Sequence, residues 1–314
     1  MTDRAVRAYA DLEARSGVRF HEPVGCLLAS RPGGDGRSPD PIDFLTELGI
    51  RHERWEPGDR GWVDRWPRIA FPATHRVAYE GGPAGYVRPK RLIEAQETLT
   101  ERAGSTLVDD TVTAIRPGPG GDGYEVETAT GRRWRSPRVV VAAGAFTNAN
   151  NLLAEPVPLQ IKTEVKILGE VSSADALELG RYPTVKYLND GDDLDAIYMT
   201  PPVGYPDGRS HIKLGANIRL DTWPDDLATI QRWFDTDTDE AYLPILQPAL
   251  QSLWPDVEFR AFRTRPCIIT YTPDRFPLID EVRPGLVVAT GGNGGGAKGA
   301  DAWGEMAAAR TLGD

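Results

Sequence analysis

Cysteine is scarce: the 314 residues contain two, Cys26 and Cys267, and neither sits in a CxxC pair. That leaves no material for a disulfide framework and points to a reducing compartment. Long apolar runs are missing as well. The first stretch, "MTDRAVRAYADLEARSG", mixes charged and apolar residues at helical spacing and has no apolar leader region, and no other segment is long enough to span a bilayer. A cytoplasmic protein without a membrane partner is expected. No run of five or more basic residues occurs, and the formal net charge is -10 with a pI near 5.1. A nucleic acid or an anionic membrane would be repelled by such a surface on average, so no nucleic-acid partner is expected either. The four histidines, His21, His52, His75 and His211, lack metal-ligand spacing and a nucleophile partner and read as structural. No metal site is expected.

What is present suffices for a large single unit or two domains sharing a core, since 40% of the residues are hydrophobic. Val6, Tyr9, Ala10 and Leu12 form a helical stripe that Gly17 is placed to stop. "VGCLLAS" reads as a buried strand, and "SPDPIDFLTELG" as a capped short helix with Pro41 in its first turn. The stretch around Trp62 and Trp66 is rich in Trp, Pro and Gly and is expected to be irregular, its indoles packing or lining a substrate pocket. "RPKRLIEAQETLTERAG" is an amphipathic helix; "STLVDDTVTAIRP", "GYEVETATGRRWR" and "PRVVVAAGAF" follow as strands, with "RPGPGGDG" as a hairpin connection. Val139 to Ala142 form the continuous apolar run of a strand covered on both faces. From about residue 156 to 266, "LQIKTEVKILGEV", "TVKYLND", "AIYMTPP" and "SHIKLGANIRL" predict a mixed or antiparallel sheet closed by two helices. The last segment gives strand "GLVVAT", a glycine turn and a helix.

That turn, "GGNGGGAKGADAWGE", formally contains GxGxxG at Gly294, Gly296 and Gly299, and a helix N-terminus there offers unpaired N–H groups and the positive end of a dipole. A dinucleotide fold needs a further strand and an acidic residue about 20 positions on. A Walker loop needs Gly before and Ser or Thr after Lys298. Neither pattern is met, so the turn is either a packing turn or a helix start aimed at an electron-rich group.

Read in order, "GYVRPKRLIEAQ", "VVVAAGAFTN", "HIKLGANIR" and "RPCIITYTPDRFPLIDEVRPGLVVATGGNGGGAKGADAWGE" resemble successive landmarks of the FAD-dependent amine and amino-acid oxidoreductases, the D-amino-acid oxidase superfamily, and most of all its sarcosine oxidase branch. The resemblance implies a small-molecule amine or amino-acid substrate and an FAD cofactor bonded covalently through Cys267. By residues alone, Cys267 beside Ile268 and Ile269 would equally be a small buried hydrophobe. Lys213 matches the lysine that faces the flavin and assists reaction with oxygen, although alternation with Ile212 and Leu214 also suits a solvent-facing lysine on an edge strand. Lys298 matches a lysine near the substrate carboxylate, so Lys213 and Lys298 are the expected catalytic pair. The cofactor would further meet Val112 along the adenine, Gly144 at a close backbone approach, and the turn residues Gly294, Gly295, Gly296, Ala297 and Lys298. Asp274 is expected to shape a turn after Pro273.

The resemblance also has gaps. The family begins with a strand, a GxGxxG turn and a helix that hold the FAD pyrophosphate, and this sequence shows no such unit, so roughly 30 or more residues are expected to be lacking. Their loss should leave a bare edge near "VVVAAG" and "GLVVAT". A partner chain could supply the unit. Gly295 and Ala297 stand where the family usually carries a histidine and an aromatic residue, and Asn217 replaces a histidine, which points away from sarcosine itself. The expected fold is α/β with α+β: an incomplete FAD-binding Rossmann-like module (1–17, 84–155 and 267–314) intertwined with a substrate domain (18–83 and 156–266) built on a mixed or antiparallel sheet. Two functions stay open: an oxidase of C–N bonds, or a degenerate, partner-dependent relative that does not hold FAD alone.

Overall fold

The computed structural model describes residues 2–33, 40–191 and 193–313. Its helices follow the apolar spacing. Helix α1 (Thr2–Ser16) ends where Gly17 takes φ +78° and donates its N–H to the Glu13 carbonyl. Helix α2 (Pro41–Glu47) starts at Asp40, whose carboxylate accepts from the Ile42 N–H; Ser38 and Pro39, which open the expected helical stretch, lie outside the described residues. Helix α3 (Pro89–Arg102) begins on proline, as the fixed φ of that residue favours. Helix α4 (Ser173–Leu179), not anticipated from the pattern, is capped by Ser172. Helices α5 (Leu227–Asp235) and α6 (Asp239–Leu253) are the expected pair, α6 burying Tyr242, Leu246, Leu250 and Leu253 on one stripe. The closing helix is α7 (Gly296–Leu312).

Sixteen strands occur among the described residues. Two short ones, β1 (His21–Glu22) and β5 (Tyr86–Val87), pair with each other. The main sheet has eight strands: β2 (Cys26–Ser30), β3 (Glu53–Trp55), β4 (Arg76–Glu80), β10 (Gln160–Val171), β11 (Thr184–Asp190), β12 (Leu194–Gly204), β13 (Ser210–Ile218) and β14 (Ala261–Tyr271). Their order is β14-β10-β13-β12-β11-β2-β4-β3, antiparallel except where β11 runs parallel to β2. The residue 267 boundary expected from the sequence falls inside the continuous strand β14, which pairs with β10 from Ala261 to Tyr271.

Two smaller sheets complete the fold. One joins β6 (Val112–Pro117), β7 (Tyr124–Thr128) and β8 (Arg133–Ser136), so "GYEVETATGRRWR" is a hairpin and not one strand. The other joins β15 (Leu278–Arg283), β16 (Leu286–Thr290) and β9 (Val139–Val141), with β9 parallel to β16. The expectation that Val139 to Ala142 is covered on both faces fails here. Strand β9 is an edge strand, Val141 is buried, and Val140 on the opposite face is 41% exposed.

One face of the main sheet makes the core. Val165, Ile167, Ile212, Leu214, Ile197, Met199, Val185, Leu27 and Val77 point to the side covered by α6, Trp254, Trp62 and Trp66. Burial of both tryptophans decides for packing over pocket lining. The period of two then forces the intervening residues of the same strands onto the other face.

Candidate active site

Many of those intervening residues are polar. Across the strands the register sets Cys267 opposite Glu164, Arg265 opposite Lys166, Lys166 opposite Gly215, Gly215 opposite Tyr198, and Tyr198 opposite Lys186. The next row carries Leu168, Lys213, Thr200, Thr184 and Cys26. Strand β13 lies between β10 and β12, so Lys213 is not on a sheet edge.

Tyr198 organises this face. Its ring lies flat over Gly215, where an added Cβ would stand 2.3 Å from Tyr198 Cζ, and its hydroxyl donates to Glu164 Oε1 at 2.7 Å. The ammonium groups of Lys186 and Lys213 stand 5.4 and 5.5 Å from the ring centre, within reach of its negative π face. Burial, and then the Glu164 charge, push the Tyr198 phenol well above its usual value, so it stays a donor. Burial likewise raises the Glu164 carboxyl against the pull of the Tyr198 hydrogen bond. Lys213 goes the other way: desolvation first, then repulsion from Lys166, lowers it to about 8. Lys186 is lowered by desolvation and then by Lys298, and burial raises the Cys26 thiol.

The chain has six lysines, Lys90, Lys162, Lys166, Lys186, Lys213 and Lys298. Lys162, Lys166, Lys186 and Lys213 lie on this sheet face, and Lys298 is on α7. Lys162 is spent on a buried pair with Asp221 at 2.6 Å and on Asn217 Oδ1 at 3.0 Å. Among the described residues Lys166, Lys186, Lys213 and Lys298 form no ion pair, and Glu164 is the buried carboxylate in their midst.

The glycine turn is tied to the end of β14, the strand that carries Cys267. Asn293, at φ +47°, fastens the turn to β14 by donating its N–H to the Thr270 carbonyl and accepting from the Thr272 N–H. Of the formal GxGxxG, Gly294 takes φ +76°, whereas Gly299 makes room for the Trp303 ring, 2.5 Å from where a Cβ would be. No side chain caps α7, so its first N–H groups have no side-chain partner and keep their field. An added Cβ at Gly294, Gly296 or Gly144 meets nothing within 4 Å, which leaves backbone open to close approach by a ligand. Gly144, at φ +56°, is held beside β16 by Thr290 Oγ1, which donates to its carbonyl.

The structure thus brings together Lys213, Lys298, Cys267 and the turn residues Gly294 to Ala297. Val112 lies apart, as the first residue of β6 in another sheet. Asp274 does shape a turn, accepting from the Phe276 N–H, and no metal-holding cluster of His, Cys, Asp or Glu occurs among the described residues. Lys186, Tyr198, Glu164 and Cys26 were not anticipated. Their signal was the alternation in "VGCLLAS", "LQIKTEVKILGEV", "TVKYLND" and "AIYMTPP", which cannot be read as a shared face until the register is known. A cationic, partly desolvated face near a helix N-terminus and open glycines suits a planar ring that gains negative charge on reduction, as an isoalloxazine does.

Comparison with known proteins agrees. Residues 1–310 match the family described as FAD dependent oxidoreductase, and the chain belongs to that family of enzymes. Similar solved structures include iminodiacetate oxidase from Chelativorans sp. BNC1, with TM-score 0.69, 17% identity, and coverage of 99% of this chain and 79% of the other. NikD, described as an unusual amino acid oxidase essential for nikkomycin biosynthesis, gives TM-score 0.72, 18% identity, and coverage of 99% and 78%. Glycine oxidase from Geobacillus kaustophilus gives 0.68, 19%, 98% and 77%. At such identities they show the shared fold. No curated protein matches the sequence. Among the described residues no helix is long and apolar enough to cross a membrane.

Proposed function

We propose that this enzyme oxidises a C–N bond of a small amine or amino acid, with FAD held between the polar sheet face and the α7 turn. The observation that carries the reading is the alignment of Lys166, Lys186 and Lys213 on one sheet face, without ion-pair partners among the described residues, with the α7 turn and its Lys298 fastened to β14 of the same sheet. When bound, FAD supplies the acceptor for a hydride from the carbon beside the nitrogen, and the resulting imine hydrolyses. Cys267 would tether the cofactor. The N–H groups opening α7 would favour negative charge at the ring's electron-rich end, Gly144 would admit the cofactor close to the backbone, and Val112 would lie along the adenine. Lys213 would hold a positive charge where oxygen gains negative charge on its way to peroxide. Lys298 would receive the substrate carboxylate. The two interleaved sets of segments, 1–17 with 84–155 and 267–314, and 18–83 with 156–266, would serve cofactor and substrate respectively.

The test is anaerobic mixing of FAD-loaded protein with primary and secondary amino acids. Amine-dependent loss of the flavin's visible band, recovered on admitting air with release of peroxide, supports the reading. A loaded protein that no amine reduces would refute it and favour a non-catalytic relative, whether alone or with a partner chain.

A further inference from the structure

Tyr198 has no part in the reading above, yet its side chain spans three strands of the polar face. It starts on β12, crosses β13 above Gly215, its partner in the register, and ends with its hydroxyl donating to Glu164 Oε1 on β10 at 2.7 Å. The crossing needs glycine. A Cβ at position 215 would stand 2.3 Å from Tyr198 Cζ and 2.4 Å from its hydroxyl oxygen. Glu164 is 5% exposed, so the far end of the ring is anchored on a group that is itself enclosed. Lys213 lies two residues before Gly215, on the same face of β13, and its ammonium is 5.5 Å from the ring centre, within the range of attraction to a π face. Among the described residues no carboxylate and no hydrogen bond holds that ammonium. A carboxylate partner would fix the lysine but cancel much of its field, whereas a π face fixes it and leaves the positive charge whole. The hydroxyl adds to this by engaging Glu164, the buried carboxylate of the face, in a bond of its own.

We propose that Tyr198 is the positioning residue for Lys213: its ring, seated on Gly215 and anchored at Glu164, holds the ammonium in one place with its charge uncancelled. This rests on the role given to Lys213 above, in which a positive charge must already stand in place when oxygen gains negative charge. Without the ring, the long flexible stem of the lysine would spread that charge over many positions.

The experiment has two readouts, on wild type, Tyr198→Leu, Tyr198→Phe, Lys213→Met and the double variant Lys213→Met with Tyr198→Leu. The first needs no FAD. It is the NMR spectrum of protein labelled with carbon-13 at lysine, to which six residues contribute. The Lys213 ε-methylene, identified by its absence in Lys213→Met, is expected upfield of that of the exposed Lys90 through the Tyr198 ring current. The shift should vanish in Tyr198→Leu and persist in Tyr198→Phe. The second readout is stopped-flow reoxidation by air of FAD-loaded protein that has been reduced with stoichiometric dithionite, with no amine present. Tyr198→Leu should slow it about tenfold, less than the loss of Lys213 itself, and Tyr198→Phe should slow it less than Tyr198→Leu. In the Lys213→Met background Tyr198→Leu should add nothing, because the group it positions is gone. An unshifted Lys213 methylene in wild type, a wild-type rate in Tyr198→Leu, a Tyr198→Phe rate as low as that of Tyr198→Leu, or equal slowing by Tyr198→Leu with and without Lys213 would overturn the proposal. If the chain takes up no FAD while the shift still follows the ring, the holding of Lys213 stands and the redox reading alone fails.

Discussion

Lys213 is the residue whose environment says most about what it can do. Desolvation lowers its pKa from 10.5 to about 8, with repulsion by Lys166 adding to the effect. Its charge therefore falls away as pH rises through about 8. If the ammonium serves oxygen, the rate of reoxidation by air should decline over the same interval, which stopped-flow oxidation of the reduced holoenzyme would show. Lys213→Met should slow that step by about 10² to 10³, in line with loss of one preorganised charge at a developing anion, and should remove the pH dependence. The stability effect has a definite sign. Between about pH 8 and 10.5 the unfolded chain binds more protons at this lysine than the folded one, so the residue's contribution to stability rises with pH across that window. Gly215 sets the position of Tyr198. Gly215→Ala would place a methyl 2.3 Å from Tyr198 Cζ, and with the ring enclosed by its neighbours the expected cost is about 1–3 kcal/mol in urea unfolding.

Among the elements, α2 shows how a short helix is held where its sequence alone would not keep it. Asp40 caps the helix, accepts from Ser30 Oγ at 2.7 Å, and pairs with Arg76 Nη1 at 2.6 Å, its side chain 1% exposed. Asp40→Ala should cost about 1.5–3 kcal/mol in urea unfolding, the scale of a hydrogen bond to a charged group, because the largely buried Arg76 guanidinium loses one partner but keeps Asp43 at 2.8 Å. A cost below about 1 kcal/mol, the scale of an exposed ion pair, would show that the pair is not closed in solution. The cap was legible in the sequence, because proline in the first turn and a glycine after the last announce themselves locally. So were α1, α3, α5, α6, the long strands and the α7 turn. The polar face was only half legible: Lys213, Lys298 and Cys267 came from a motif, while Lys186, Tyr198 and Glu164 are joined by pairings between strands far apart in sequence. Edge position is equally non-local, which is why Lys213 could be read as an edge lysine and Val140 as a covered one.

At the scale of the molecule, the acidic chain keeps four of its six lysines on one sheet face and a fifth, Lys298, on the helix whose turn is tied to that sheet, and leaves arginine to most of its surface pairs. A compact ammonium on a flexible stem changes its pKa readily when desolvated, whereas a guanidinium does not, so the face proposed to hold FAD is the one that carries the tunable cations. The central claim is that this face holds FAD. The most direct test is the visible absorption spectrum of the purified chain after incubation with FAD, taken before and after acid precipitation, for wild type and Cys267→Ser. The account predicts a flavin spectrum on the folded wild-type protein and yellow colour that stays with its pellet, moving to the supernatant in Cys267→Ser. A colourless protein that takes up no FAD would contradict it.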